Sequence, residues 1–479
     1  MPYLLIENFA NGLESRKSPI TAPPGSLLRL TNAAISPGGE IEKRRAFVKV
    51  SDLPTNTFGL AATENTLHVF TRNTPPIIGM SSGVPGVYLN AIQLPNASPV
   101  LQQTDYDVFD GRIYFVGYDP GTPAMTVPHY YANVMAAPPQ GGQLAVVTEG
   151  NNRGFYVRTY AGKIYAVLGK NLYYSAIDNP LNWTTGTGAG FTNLALQDSD
   201  SQQLTSLEIY YEKMAIFGSS ATQLWTVDPD PLQNVYEQLL RGAGTTAPQS
   251  ALQYGAGDVL FLTPSGIRSL KARDSSSSAA VSDIGSPIDR LLFDLRQTQG
   301  EGYYNAATSI LEPYVGRFWL AFPHHIYVLS YFPGPKITAW SLYTTPFPIN
   351  HIVTCRDRIF IRSGNDLYAY GGVGGSDFDN CGVEVRLPYL DMKKPGHMKM
   401  FEAIDATVTG TWLINNSFDF TNPDAEEVVA TISQPTWNTG RIEFSGHASH
   451  FSLRLYNNDN QRATLANLAI HYKLSQDED

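Results

Sequence analysis

From about residue 55 the chain is written in short runs of Ile, Val, Tyr, Phe and Leu, each bounded by Gly, Asn, Asp or Pro. Runs this short, rich in β-branched and aromatic residues, predict strands rather than helices. A tight turn followed by an apolar strand recurs, as in Asp110-Gly111-Arg112-Ile113-Tyr114-Phe115-Val116 and Ala161-Gly162-Lys163-Ile164-Tyr165-Ala166-Val167. Further copies start their strands at Leu67, Met214, Val259, Phe318 and Ile359. The starts lie about 40–60 residues apart, near the ~40–50 residues of a four-stranded propeller blade. Several are followed by a second strand, at 171–175, 223–227, 266–270 and 366–370. Helix is scarce in this pattern. The best candidate is Ser286–Gln297, with Ser286 placed to cap, Pro287 in the first turn, and Ile288, Leu291, Leu292 and Leu295 at helical spacing.

The expected fold class is therefore all-β: an irregular β-propeller of six to eight blades over residues 55–375, an extended N-terminal arm over 1–54, and a C-terminal β-sandwich over 376–475. The arm is read from Pro19, Pro23, Pro24, Gly25, Pro37, Gly38 and Gly39, which punctuate two short segments; the second carries Lys43-Arg44-Arg45. The boundary is read from Gly371-Gly372-Val373-Gly374-Gly375-Ser376, since glycine-rich chain is flexible. Beyond it, Val383–Leu390, Ala403–Leu413, Arg441–Phe444, Phe451–Tyr456 and Leu465–Leu474 alternate apolar and polar positions, as sandwich strands do. Residues 476–479 form an acidic tail.

Composition sharpens this picture. Only 16% of the 479 residues are charged, while Gly (41), Pro (32) and Tyr (27) are plentiful, which suits strands and turns. The net charge of −10 is opposite to that of proteins that grip nucleic acid through its phosphates. Two cysteines, Cys355 and Cys381, are too few for a disulfide scaffold or a four-cysteine zinc site. The N-terminal segment has no basic region before its short apolar run, so it is not read as a signal peptide, and no run reaches the ~18 apolar residues of a membrane span.

Chemistry is sparse. Phosphate-loop, dinucleotide, zincin and nucleophile-elbow motifs are absent from the sequence. His324-His325 is the one adjacent histidine pair, and strand neighbours face opposite ways, so no metal site is expected there. Asp52, Asp107, Asp119, Asp178 and Asp230 lie in turn-like sequence, where Asp is favoured for local hydrogen bonding; a central pair of carboxylates would instead mark a glycosidase. Asp178-Asn179-Pro180-Leu181-Asn182-Trp183 reads as a turn with Trp183 packed beneath it. No catalytic, metal-binding or cofactor-binding residue is assigned, and no enzyme activity or cofactor is expected. The densest basic cluster supplies the candidate interface residues Lys393, Lys394, His397 and Lys399.

Several segments together resemble a known family. Asn8-Phe9, Gly12-Leu13, Pro23-Pro24-Gly25 and Pro37-Gly38 resemble the opening of tail proteins of short-tailed bacteriophages, the nozzle and packaged-DNA stabilisation proteins. Phe217-Gly218-Ser219-Ser220 before Leu224-Trp225, Asp178–Trp183, Gly242–Gly244 through Gly266-Ile267, Ile326–Leu329 with Trp340, and Lys394–Lys399 are similar to its later segments. The resemblance implies a non-enzymatic virion protein assembled in the host cytoplasm. It implies a homohexameric distal ring of the tail, docked below the portal-adaptor ring and carrying tail fibre, spike or needle proteins. Double-stranded DNA would pass through without specific binding, with no membrane insertion. The acidic balance fits passage rather than grip. The alternative is a propeller hydrolase or lectin acting on surface polysaccharide.

Overall fold

The computed structural model describes residues 2–72, 80–94, 101–119, 129–134, 143–147, 150, 152–195, 202–255, 257–275 and 283–475. Its strands begin where the turn signals place them: Thr66–Thr71, Arg112–Tyr118, Lys163–Leu168, Lys213–Gly218, Val259–Thr263, Phe318–Ala321 and Arg358–Ser363. The turns explain why. Asp110 and Gly111 have φ of 48° and 69°, and Ala161 and Gly162 have 48° and 71°. Two successive positive φ values give the mirror-type turn whose twist matches that of a hairpin. Each turn therefore joins two antiparallel strands in fixed register, Val108 opposite Ile113 and Thr159 opposite Ile164.

Among the described residues eight separate sheets result. Three are four-stranded meanders in chain order, spanning Gln102–Val146, Tyr156–Asn193 and Leu204–Arg241. Two have three strands, at Thr57–Gln93 and Leu252–Ser269. A fourth four-stranded sheet pairs His351–Cys355, Arg358–Ser363 and Asp366–Tyr370, then takes Phe47–Asp52 as its outer strand. The remaining two sheets mix distant parts of the chain. An eleven-stranded sheet runs from Thr308–Leu311 through Ile337–Thr344 to Arg29–Thr31, and on through Val383–Arg386 to Glu427–Ile432. A six-stranded sheet joins Tyr3–Ile6, Ala33–Ile35 and Ile41–Lys43 to Lys399–Thr409, Ile442–Ala448 and Thr464–Leu474.

This arrangement corrects the expected fold class. The protein is mostly β, but its strands form separate, unclosed sheets, not a closed β-propeller of six to eight blades followed by a sandwich. The physical reason lies in Arg29–Thr31. On one edge Thr31 pairs parallel with Leu342, and on the other Leu30 pairs antiparallel with Val385, so one short strand welds middle and C-terminal strands into one sheet. The N-terminal residues are not an extended arm. Phe9, Leu13, Leu27 and Leu30 are buried in the same core as Leu292, Trp340, Val385, Phe401 and Leu453. The glycine-rich segment is tied down: Gly371 N–H donates to Ala46 O at 2.7 Å, and Asp377 N–H to Gly371 O at 3.0 Å. The acidic tail lies outside the described residues.

Among the described residues helix is confined to short pieces, the longest being Asp289–Gln299, which follows a 3₁₀ turn at Ser286–Ile288. Ile288, Leu292 and Leu295 are buried, as their spacing predicts, but Ser286 does not cap the helix. Among the described residues no helix is long and apolar enough to cross a membrane.

Candidate functional site

The first strands of several sheets lean on one another: Thr57–Ala62 on Gln102–Phe109, that strand on Tyr156–Tyr160, and Tyr156–Tyr160 on Leu204–Tyr210. On the other side Thr308–Leu311 packs on His351–Cys355, which returns to Thr57–Ala62. Between them lies a cavity of about 360 Å³, lined by Gln103, Asp105, Asp107, Arg158, Glu208 and His351 among others. Alternation along Gln102–Phe109 explains the acidic wall, because Asp105 and Asp107 are two apart and share a face.

Each charged group here is engaged by a neighbouring strand. Asp105 Oδ2 accepts from Val157 N–H at 3.0 Å and from Arg158 Nη1 at 2.9 Å. Asp107 Oδ2 accepts from Thr159 N–H at 2.5 Å, and its Oδ1 from Val108 N–H at 2.8 Å. Arg158 Nε donates to Glu208 Oε2 at 3.0 Å, and Glu208 Oε1 accepts from Ile209 N–H at 2.9 Å. Uncharged groups repeat the device. The Gln103 amide accepts from Leu60 N–H at 2.8 Å and donates to Leu60 O at 2.9 Å, copying a strand's own pairing. Gln249 Nε2 donates to Thr104 O, while Thr308 Oγ1 donates to Gln249 Oε1 at 2.8 Å. The open edges of the inner strands are thus satisfied by side chains reaching across from the next sheet, which removes the cost of unpaired backbone groups.

Burial raises the Asp105 carboxyl to about 6, with Arg158 and the Val157 N–H pulling the other way. Burial opposes the charge of Arg158, but Glu208, Asp105 and Asp107 outweigh it and its pKa is raised. His351 is lowered to about 3, by burial first and by the neighbouring Arg362, so its imidazole is neutral; its Nδ1 accepts from Arg362 Nε at 3.2 Å.

Of the five aspartates singled out from the sequence, only Asp107 faces this cavity. Asp52 pairs with Lys49 on the surface, Asp119 is buried elsewhere, Asp178 occupies a turn at φ 52°, and Asp230 accepts from Leu232 N–H at 3.1 Å. Trp183 is fully buried under its turn, its Nε1 donating to Pro180 O at 2.8 Å. Asp105, Arg158 and Glu208 escaped sequence reasoning; the signal was Asp105 two residues before Asp107 on one strand, and Arg158 and Glu208 each as the one charged residue of its strand. The basic loop lies elsewhere, at the start of Lys399–Thr409. Lys393, Lys394 and His397 are exposed, whereas Lys399 is buried and donates to Lys394 O and His397 O, each at 2.7 Å, and to Ser449 O at 3.0 Å. Both cysteines are free, and burial pushes each thiol up to about 12. His325 Nδ1 is hydrogen-bonded to the Tyr303 hydroxyl at 2.7 Å. Among the described residues no cluster of His, Cys, Asp and Glu is arranged to hold a metal ion.

No family model matches the chain, and no curated protein matches it. Among solved structures, a computationally designed protein, Ika8, is 10% identical with a TM-score of 0.38, over 71% of this chain and 96% of that one. An extracellular domain assigned to a hybrid two-component system of B. thetaiotaomicron is 9% identical with a TM-score of 0.40, over 86% of this chain and 58% of that one. At these scores neither likeness carries a fold or a function to this protein. The resemblance to phage tail proteins is corrected by the fold: the unclosed sheets do not supply the closed propeller ring that a tail nozzle would need. The expected nozzle role, and the viral-tail identity with it, does not hold for this fold.

Proposed function

We propose that this protein is a non-enzymatic scaffold, whose rigid assembly of sheets holds binding surfaces in place. One observation carries the reading: the carboxylates and the guanidinium of the inner cavity are spent on the backbone and side chains of neighbouring sheets. A catalytic carboxylate has to present a free oxygen to substrate and exchange a proton with it. Asp107 and Glu208 instead have both oxygens engaged by protein donors, and Asp105 anchors Val157 and Arg158. The same bonds make good braces, because a charged group bonded to a strand edge ties two sheets together more strongly than a neutral pair does. Recognition then falls to the outside, where Leu232, Tyr314, Val428 and Trp437 are 64–90% exposed. Exposed large apolar groups mark protein contacts where they gather into one patch.

The test compares activity with stability. The purified protein is assayed against glycosides, carboxylic esters and phosphate esters, alongside Asp105→Asn and Asp107→Asn. The expected result is no turnover in any of the three proteins, with a lower melting temperature in Asp107→Asn. Turnover by the unmodified protein that either substitution abolishes sinks the scaffold reading.

A further inference from the structure

The strand Tyr3–Ile6 is open along one edge. It pairs with Leu468–His471 in unbroken antiparallel register, and among the described residues no strand joins it on the other side. The alternation of an antiparallel ladder fixes which groups face outward. Tyr472 N–H donates to Pro2 O at 3.1 Å, which makes residues 2 and 472 a hydrogen-bonded pair. Two residues on, Leu4 and then Ile6 bond toward the same neighbour, so the N–H and C=O of Tyr3 and Leu5 point away from the sheet. Open edges are usually blunted by a lysine, a proline or a bulge within the strand, and Tyr3-Leu4-Leu5-Ile6 carries none of them.

Beside this edge lies a cavity of about 340 Å³, walled by Leu4, Ile20, Pro23, Pro24 and Met392 among others. No residue of Leu468–His471 lines it, which places it on the unpaired side of Tyr3–Ile6. The segment across the cavity is unable to pair with the strand. Pro23 and Pro24 have no N–H, and the N–H groups of Thr21 and Ala22 are already given to Ser18 O. A further strand laid along the edge would sit about 4.8 Å from Tyr3–Ile6. Its residue opposite Leu4 would enter the cavity. Its neighbours on the other face would cover Tyr3 and Leu5, which are 60% and 41% exposed.

Charge around the cavity says what such a strand would carry. Lys393 lines the cavity and Lys394 follows it; both are exposed, in a chain of net charge −10. Among the described residues neither ammonium has an ion-pair partner. Asp391, the one carboxylate in the wall, is engaged. Its Oδ1 accepts from Lys393 N–H at 2.9 Å, and its charge attracts the buried Lys399 ammonium.

We infer that this edge binds a partner protein by strand addition, taking an extended segment with a large apolar residue for the cavity and acidic residues for Lys393 and Lys394. Main-chain bonds to Tyr3 and Leu5 supply affinity in this mode, and the cavity and the lysines supply selectivity. The basic loop singled out from the sequence thereby gains a use. This adds a binding surface to the scaffold reading without resting on it: binding and turnover are read in separate assays, and either reading fails without the other.

The immobilised full chain is used to select from a yeast-displayed library of random linear peptides, and the enriched peptides are synthesised and titrated by fluorescence anisotropy. The expected peptides carry a large apolar residue next to Asp or Glu and bind saturably. Leu5→Pro removes one outward N–H while keeping the pairing with Leu468–His471, and should weaken binding at least about tenfold. Lys393→Glu, on an exposed loop where the fold does not depend on it, should weaken the same peptides at least about tenfold and leave the melting temperature unchanged. Val428→Lys, on the separate strand Glu427–Ile432, should leave binding as it was. No enriched peptide, enriched peptides without acidic residues, or binding untouched by Lys393→Glu overturns the assignment. So does a dimer in sedimentation that Leu5→Pro dissociates, since the edge would then belong to a second copy of this chain.

Discussion

Arg158 is bonded to two carboxylates from two different sheets, Asp105 on one side and Glu208 on the other. Its side chain is 20% exposed, and those of Asp105 and Glu208 are 13% and 8% exposed, so removing the guanidinium strands two buried anions. Arg158→Met is expected to destabilise the protein by about 3 kcal/mol or more, read as a drop in the denaturant midpoint. Asp105 gives the matching pH signature. Its folded carboxyl is raised to about 6 from 3.8, so between those values the folded state holds the extra proton. The stability it contributes is present below 3.8 and is lost as pH rises to 6. Asp105→Asn should flatten the stability profile in that window, measured as melting temperature between pH 4 and 7; an unchanged slope would place the titration elsewhere.

At the scale of elements, side-chain staples and tight crossings decide which strands stay together. Gln103→Ala leaves the N–H and C=O of buried Leu60 without their partner and is expected to cost about 1–2 kcal/mol. Faster hydrogen exchange at Leu60, with Val157 unaffected, would confirm that the loss is local. Gly12 shows the other constraint. It sits at φ 56° where Gly12–Leu13 pairs parallel with the strand at Trp340, and an added Cβ would stand 2.7 Å from Trp340 O. Gly12→Ala should therefore destabilise by more than about 1 kcal/mol, through both backbone strain and clash. The hairpins were legible because turn and strand are adjacent in sequence: Asp110-Gly111 and Ala161-Gly162 announce their own geometry. The pairings of Thr31 with Leu342 and of Tyr370 with Phe47 have no such local signature. Neighbouring apolar strands all look alike as partners, and so the even hairpin spacing suggested a self-contained propeller. Likewise the basic loop was visible as charge, but nothing local shows that Lys399 turns inward to three carbonyls while Lys393 stays outside.

Over the whole molecule, residues of the N-terminal, middle and C-terminal segments share one apolar core. Trp340 touches this shared core from the middle of the chain, Leu30 from the N-terminal side and Val385 from the C-terminal side. A fragment comprising residues 55–375 would expose that surface and lack the outer strand Phe47–Asp52 as well. It is expected to be insoluble or to bind a hydrophobic dye as a loosely packed state does, whereas the full chain should resist cleavage at the pinned Gly371–Gly375 segment. A soluble fragment with a cooperative melting transition would show that the shared core is dispensable.

The pairing of Tyr3–Ile6 with Leu468–His471 also sets a clock on biosynthesis. A ribosome adding about 5–20 residues per second needs roughly 20–90 seconds between making the first of these strands and the last. Throughout that interval Tyr3-Leu4-Leu5-Ile6 is a sticky, partnerless ribbon on a growing chain. The meanders between them can form as they emerge, since each closes on its own neighbours. The two sheets that bind the whole cannot, and synthesis of the last strand, more than the emergence of any single meander, is the event that lets the core close.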